Sequence, residues 1–146
     1  MRMNNLICYA IFLAAALASG AVQAGGITVT GGWIRALPAN VPAGGYFTLS
    51  NDSGKRIVLT GASSPGCGTL MLHKSDVSSG MANMSDVKTI PVAVGAHLSF
   101  APGGYHLMCT DPSAAIKPGN KVPVTLVFAD GTRVTSAFQV RTAAGR

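Results

Sequence analysis

The stretch Lys121–Val140, "KVPVTLVFADGTRVTSAFQV", decides the fold class. It reads as two runs rich in Val, Thr and aromatic residues, Lys121–Phe128 and Arg133–Val140, the composition that strands prefer. Between them "ADGT" reads as a hairpin with a two-residue Asp-Gly turn, flanked by Phe128-Ala129 and Thr132-Arg133. Working outward, the same texture recurs along the chain. Short apolar or alternating runs at Ile27–Thr30, Trp33–Leu37, Gly45–Asn51, Arg56–Ala62, Thr69–Lys74, Val87–Ile90, His97–Phe100 and Tyr105–Thr110 are separated by "NDSGK", "SSPGCG", "PGG" and "KPGN". Nothing sustains a helical period. Many short strands at regular spacing predict an all-β sandwich or Greek-key barrel in one domain, residues 25–146.

The N-terminal residues have a different character. "MRMNNLICYAIFLAAALASGAVQA" carries Arg2, an apolar run from Leu6 to Ala18, and small residues at Val22-Gln23-Ala24. This is the anatomy of a secretory signal peptide, residues 1–24, with cleavage expected after Ala24. The run is too short for a permanent membrane-spanning helix and no later stretch matches its apolarity, so no stable membrane insertion is expected. Cys8 lies inside the apolar run, the wrong setting for a lipid-attachment cysteine.

The whole chain carries a formal net charge of +6, and its five acidic residues are all Asp. The Lys and Arg residues are scattered singly, without the basic stripe and interleaved aromatics of a nucleic-acid surface. Such a charge favours encounter with an acidic partner or an anionic surface. Cys67 and Cys109 are an even pair in an exported chain, and are expected to form a disulfide.

Strand parity resolves the residues that carry chemistry. In Tyr105–Cys109, residues 105, 107 and 109 share one face, which leaves His106 and Met108 together on the other, away from the core. In "TLMLHK", Leu70 and Leu72 point inward, Met71 and His73 outward. "SSGMANM" reads as a polar loop bearing Met81 and Met84. Each residue alone has an ordinary explanation, surface histidine or methionine as core filler. Jointly, two histidines and several methionines gathered off the core form a donor set that thioether chemistry matches to Cu(I), not to Mg²⁺, Ca²⁺ or Zn²⁺. His97, at a strand start, is read as a surface residue.

At these positions the sequence resembles the periplasmic copper chaperones called PCuAC. Their signature is a histidine, ten residues, a methionine, twenty-one residues, a histidine, one residue and a methionine, and His73, Met84, His106 and Met108 fit it. "GGWIRALPANVPAGGYFTLSN", "LTGASSP", "PGGYHLM" and "VPVTLVFADGT" resemble the family's flanks, so the likeness spans nearly all of residues 25–146. The resemblance implies a cupredoxin-like β-sandwich that binds one Cu(I) through these four residues. It also implies hand-over toward the dinuclear copper site of cytochrome c oxidase, through its subunit II or a Sco-like protein. Three features depart from the family pattern: the loop after His73 is neither acidic nor Met-rich, Met81 is an additional thioether that could serve as an auxiliary ligand, and Cys67/Cys109 lie outside the signature. A periplasmic, monomeric, non-enzymatic carrier is the expectation.

Other classes fit less well. A blue-copper electron carrier orders Cys, His and Met along its C-terminal loop, whereas Cys109 follows both His106 and Met108. A copper monooxygenase needs an N-terminal histidine, and Gly25 is the expected first residue. A thiol-disulfide oxidoreductase uses a close Cys pair, unlike Cys67 and Cys109. No nucleophile-base constellation or phosphate loop stands out. Copper storage or tolerance, and a purely structural or adhesive sandwich, stay open.

Overall fold

The computed structural model describes residues 22–38, 40–78 and 80–146. The expected hairpin forms β10 (Lys121–Phe128) and β11 (Arg133–Arg141). Along β10 the even-numbered Val122, Val124, Leu126 and Phe128 are buried, and on β11 Val134, Phe138 and Val140 join them. Outward, Thr125 and Thr135 pair their hydroxyls at 2.8 Å. The turn has three residues where two were expected. The Gly131 amide donates to the Phe128 carbonyl at 2.9 Å, and Gly131 takes φ +87°, so a tight turn is followed by a left-handed glycine bulge. Asp130 stabilises that geometry by accepting the Thr132 amide at 2.9 Å.

The remaining strands are β1 (Val22–Ala24), β2 (Ile27–Arg35), β3 (Ala43–Asn51), β4 (Ile57–Ser63), β5 (Cys67–Ser78), β6 (Met81–Asp86), β7 (Ile90–Val92), β8 (His97–Phe100) and β9 (Tyr105–Pro112). They form one hydrogen-bonded path in the order β6-β5-β9-β3-β2-β11-β10-β4-β7, with β1 on β2 and β8 on β3. β11 and β2 are parallel, and the other pairings are antiparallel. The sheet curls around one core whose most enclosed side chains include Phe138, Ile34, Leu49, Leu59, Leu107 and Leu126. Each such side chain contributes roughly 1.5–3 kcal/mol by leaving water. Among the described residues there is no α-helix, and none long and apolar enough to cross a membrane. This is the all-β, cupredoxin-like architecture that the sequence predicts.

Several local expectations change. The runs at Ile27–Thr30 and Trp33–Leu37 are one strand, β2, interrupted by a register shift at Gly31-Gly32. The "polar loop" bearing Met81 and Met84 is strand β6, the return arm of a hairpin with β5. Residues 1–21 of the expected signal peptide lie outside the described residues. Its last three residues form β1, which pairs Val22 with Val29 and Ala24 with Ile27.

Buried Asn51 on β3 joins three segments. Its side-chain amide donates to the carbonyls of Lys55 at 2.8 Å, Val92 at 3.1 Å and Ala93 at 3.1 Å, while its Oδ1 accepts from the Ser53 hydroxyl at 2.6 Å. Cys67 and Cys109 are bonded, fixing the start of β5 to the middle of β9.

Candidate metal centre

Strands β5 and β9 run antiparallel with Leu70 opposite Cys109, Met71 opposite Met108, Leu72 opposite Leu107 and His73 opposite His106. Leu70, Leu72, Leu107 and Cys109 face the core, so the alternate positions share the other face. The hairpin extends that face by placing Met84 opposite Ser75 and Asp86 opposite His73. On the far side β3 adds Gly44, opposite Met108, and Tyr46, while β2 adds Arg35 opposite Gly44 and Trp33 opposite Tyr46. Five neighbouring strands therefore contribute to one patch of soft, aromatic and cationic side chains.

That patch is not a flat solvated surface. A cavity of about 280 Å³ is lined by Met84, His106, Met108, Ser75, Arg35 and Tyr46, and Leu37, Pro42, Pro102 and Gly103 complete its wall. His106 is consequently only 4% exposed, although its strand parity points it away from the core. The expectation of an outward, exposed histidine is corrected here, because parity assigns a face but not what covers it. The Gly44 position keeps the cavity open beside Met108. A Cβ there would lie 2.6 Å from the Tyr46 hydroxyl oxygen.

The two imidazoles meet edge to face, with ring centroids 5.6 Å apart and planes at 61°. His106 Nδ1 lies 3.2 Å from the Gly104 carbonyl, a bond that requires the proton on Nδ1 and leaves the Nε2 lone pair free. That Nε2 is buried and has no hydrogen-bond partner, and both ring nitrogens of His73 share this condition. Nε2 of His73 does lie 2.7 Å from Asp86 Oδ1, but the contact is not aligned as a hydrogen bond. A buried nitrogen without a partner costs about 1–3 kcal/mol. Two facing imidazoles in this state beside two thioethers are suited to a soft monovalent ion that they could share as neutral ligands. Groups of three or more His, Cys, Asp or Glu placed to hold a metal are absent among the described residues, so a complete ligand set here draws on sulfur of methionine.

The four signature residues are not equally enclosed. His73 and His106 are buried or nearly so, Met108 is half-buried, and Met84, on the edge strand β6, is 66% exposed. Met81 sits opposite Ser78 near the hairpin tip, on the opposite face of β6 from Met84 and outside the cavity. His97 is exposed and bonds Ser50 Oγ through Nδ1 at 2.8 Å, far from this patch. Sequence reasoning missed Asp86, Tyr46 and Arg35. The first was within reach, since it lies two residues beyond Met84 on the same face of a strand.

The face holds side chains of a kind that could bind a soft metal, and the fold around it is shared with known proteins. Residues 27–140 match the family described as "Putative lipoprotein LpqE-like", and the chain belongs to that family. It is 31% identical over 137 residues to "Putative lipoprotein Lxx21020" of Leifsonia xyli subsp. xyli (strain CTCB07), covering 93% of this chain and 82% of the relative. Among solved structures, "Copper-bound PCuAC domain from PmoF2" superposes with a TM-score of 0.70 at 23% identity, covering 84% of this chain and 98% of that one. "Solution structure of CuI-DR1885" from Deinococcus radiodurans gives a TM-score of 0.61 at 31% identity, covering 88% and 85%.

Proposed function

We propose that this protein is an exported copper chaperone that binds one Cu(I) through His73, Met84, His106 and Met108 and passes it to a partner protein. The observation that carries this reading is the facing pair of imidazoles, His73 and His106, on a face shared with Met84 and Met108, with the buried His106 Nε2 left without a hydrogen-bond partner. Four neutral ligands leave the site with only the charge of the ion. Thioether and imidazole are then replaced one at a time by an acceptor's thiolates, without a large electrostatic penalty. Met84 is the most accessible of the four and is the ligand that releases first, while Met81, on the other face of β6, stays outside the ligand set.

Solved relatives described as copper-bound and Cu(I)-bound support the choice of metal. Residues 1–24 act as the export signal, and residues 25–146 work as a monomer in the periplasm. The acceptor in this reading is subunit II of cytochrome c oxidase or a Sco-like protein. No catalytic step is assigned to the chain.

The test is anaerobic competition for Cu(I) against a chromophoric chelator. Wild type takes up one equivalent and ignores Zn(II), while Met108→Ala and Met84→Ala each lose at least about tenfold in affinity, the scale of a weakened metal shell. Unchanged affinity in both variants refutes the assignment. Transfer of the bound copper to an apo acceptor separates delivery from storage.

A further inference from the structure

The cavity has a cation in its wall that forms no ion pair among the described residues. Arg35, at the end of β2, lines it together with Met84, His106 and Met108. Its guanidinium carbon lies 5.4 Å from the centroid of Trp33 and 5.5 Å from that of Tyr46, so two aromatic rings fix where the charge sits. The rings supply no acceptor. Arg35 Nε is shielded from solvent and unpartnered. The ion pairs among the described residues are Lys55–Asp130 and His73–Asp86, and no Asp lines the cavity. Arg141 reinforces the positive field, its guanidinium carbon 5.1 Å from the centroid of Trp33.

We propose that Arg35 makes this wall a receptor for a carboxylate side chain of the protein with which the metal is exchanged; the inference rests on the metal-binding reading above. A guanidinium fork matches a carboxylate, and one arginine in a small cavity between Pro42 and Pro102 suits a single negative charge better than a dianionic phosphate. A Cu(I) held by neutral ligands adds a further positive charge, so loading strengthens the attraction. The rim supplies apolar contact for the peptide bearing that carboxylate: Met84 is 66% exposed, and Val77, on the His73 face of β5, is 74% exposed. The docked carboxylate would stand beside Met84 and Met108, which places the partner's own metal ligands at the opening.

The experiment uses the copper-free protein, so that it is independent of metal loading. The Arg35 Nε–Hε resonance and the emission of Trp33, the single tryptophan, are followed while capped Gly-Asp-Gly, capped Gly-Asn-Gly or acetate is added. The Asp peptide is expected to move both signals saturably, with the Asn peptide weaker by about tenfold, the equivalent of one charge-assisted hydrogen bond. Arg35→Gln abolishes the response while the sheet amide spectrum is retained, and Arg35→Lys restores part of it. An Arg35 signal that ignores the Asp peptide, or answers the Asn peptide equally, overturns the proposal. Acetate binding as tightly as the Asp peptide also overturns it, assigning the subsite to a free carboxylate. A normal Asp titration in a protein that fails to bind Cu(I) leaves the receptor standing and removes the metal reading instead.

Discussion

Reducing the Cys67–Cys109 bond should cost about 4 kcal/mol of stability. The two cysteines are 42 residues apart in sequence, so the cross-link removes the closure entropy of a long loop from the unfolded chain. The chain-entropy relation, applied to a loop of that length, gives about 13 cal/mol/K, or about 4 kcal/mol at 25 °C. Reduction deletes no atoms, and the Cys109 thiol stays among apolar neighbours that tolerate it. The loss therefore reports the cross-link and not a cavity. With a guanidinium dependence of about 3 kcal/mol/M, the unfolding midpoint should fall by about 1.3 M. Equilibrium unfolding of the oxidised and reduced proteins, followed by Trp33 emission, measures this directly. A shift below about 0.3 M, equivalent to about 1 kcal/mol, would refute the reasoning, because the bridge would then do little to hold β5 against β9.

Three further outcomes follow from single side chains. Gly44→Ala brings a Cβ to within 2.6 Å of the Tyr46 hydroxyl, so Tyr46 must move; Trp33 emission should shift and Cu(I) affinity fall, and an unchanged affinity would show that the cavity beside Met108 is not part of the site. Asn51→Asp replaces a donor facing three carbonyls with an acceptor and should cost about 3 kcal/mol or more in chemical unfolding, against little effect for substitution of exposed Asp52. The Asp130 carboxyl is held below its usual value of 3.8, chiefly by the Thr132 amide and then by the Thr132 side chain and Lys55. A depressed carboxyl contributes stability above its unfolded pKa and loses it as pH falls through the folded one. The small midpoint gap between wild type and Asp130→Asn should therefore be present at neutral pH and close below pH 3.8, and a gap that widens in acid would contradict this.

Alternation and turn chemistry made most of the sheet legible, because β8, β10 and β11 carry apolar residues at the period of a strand between Gly, Asp and Pro breaks. β6 was not legible: "MANMSD" has no β-branched residue, and its strand state comes from pairing with β5 and not from its own preference. The Asp-Gly turn announced a hairpin but not the third loop residue, since Asp130 and Gly131 serve either turn type. At the candidate site, spacing and parity put His73, His106 and Met108 on one face, as found. What they could not convey is the closing of that face by Pro42 and Tyr46, which come from a distant part of the chain and line the cavity in which His106 is buried. Arg35 was unreadable for the same reason, because its lack of an acceptor is a property of the assembled cavity. Cys67, flanked by glycines, had no readable direction until the fold placed it against Cys109.

In the proposed function His73, Met84, His106 and Met108 together hold one Cu(I). Copper K-edge X-ray absorption on the anaerobically loaded protein tests it most directly. A cuprous edge and a first shell of two imidazole nitrogens and two thioether sulfurs are expected, with the sulfur contribution lost in the Met84→Ala/Met108→Ala variant. A first shell without sulfur, or a sulfur shell that persists unchanged in that variant, would contradict it.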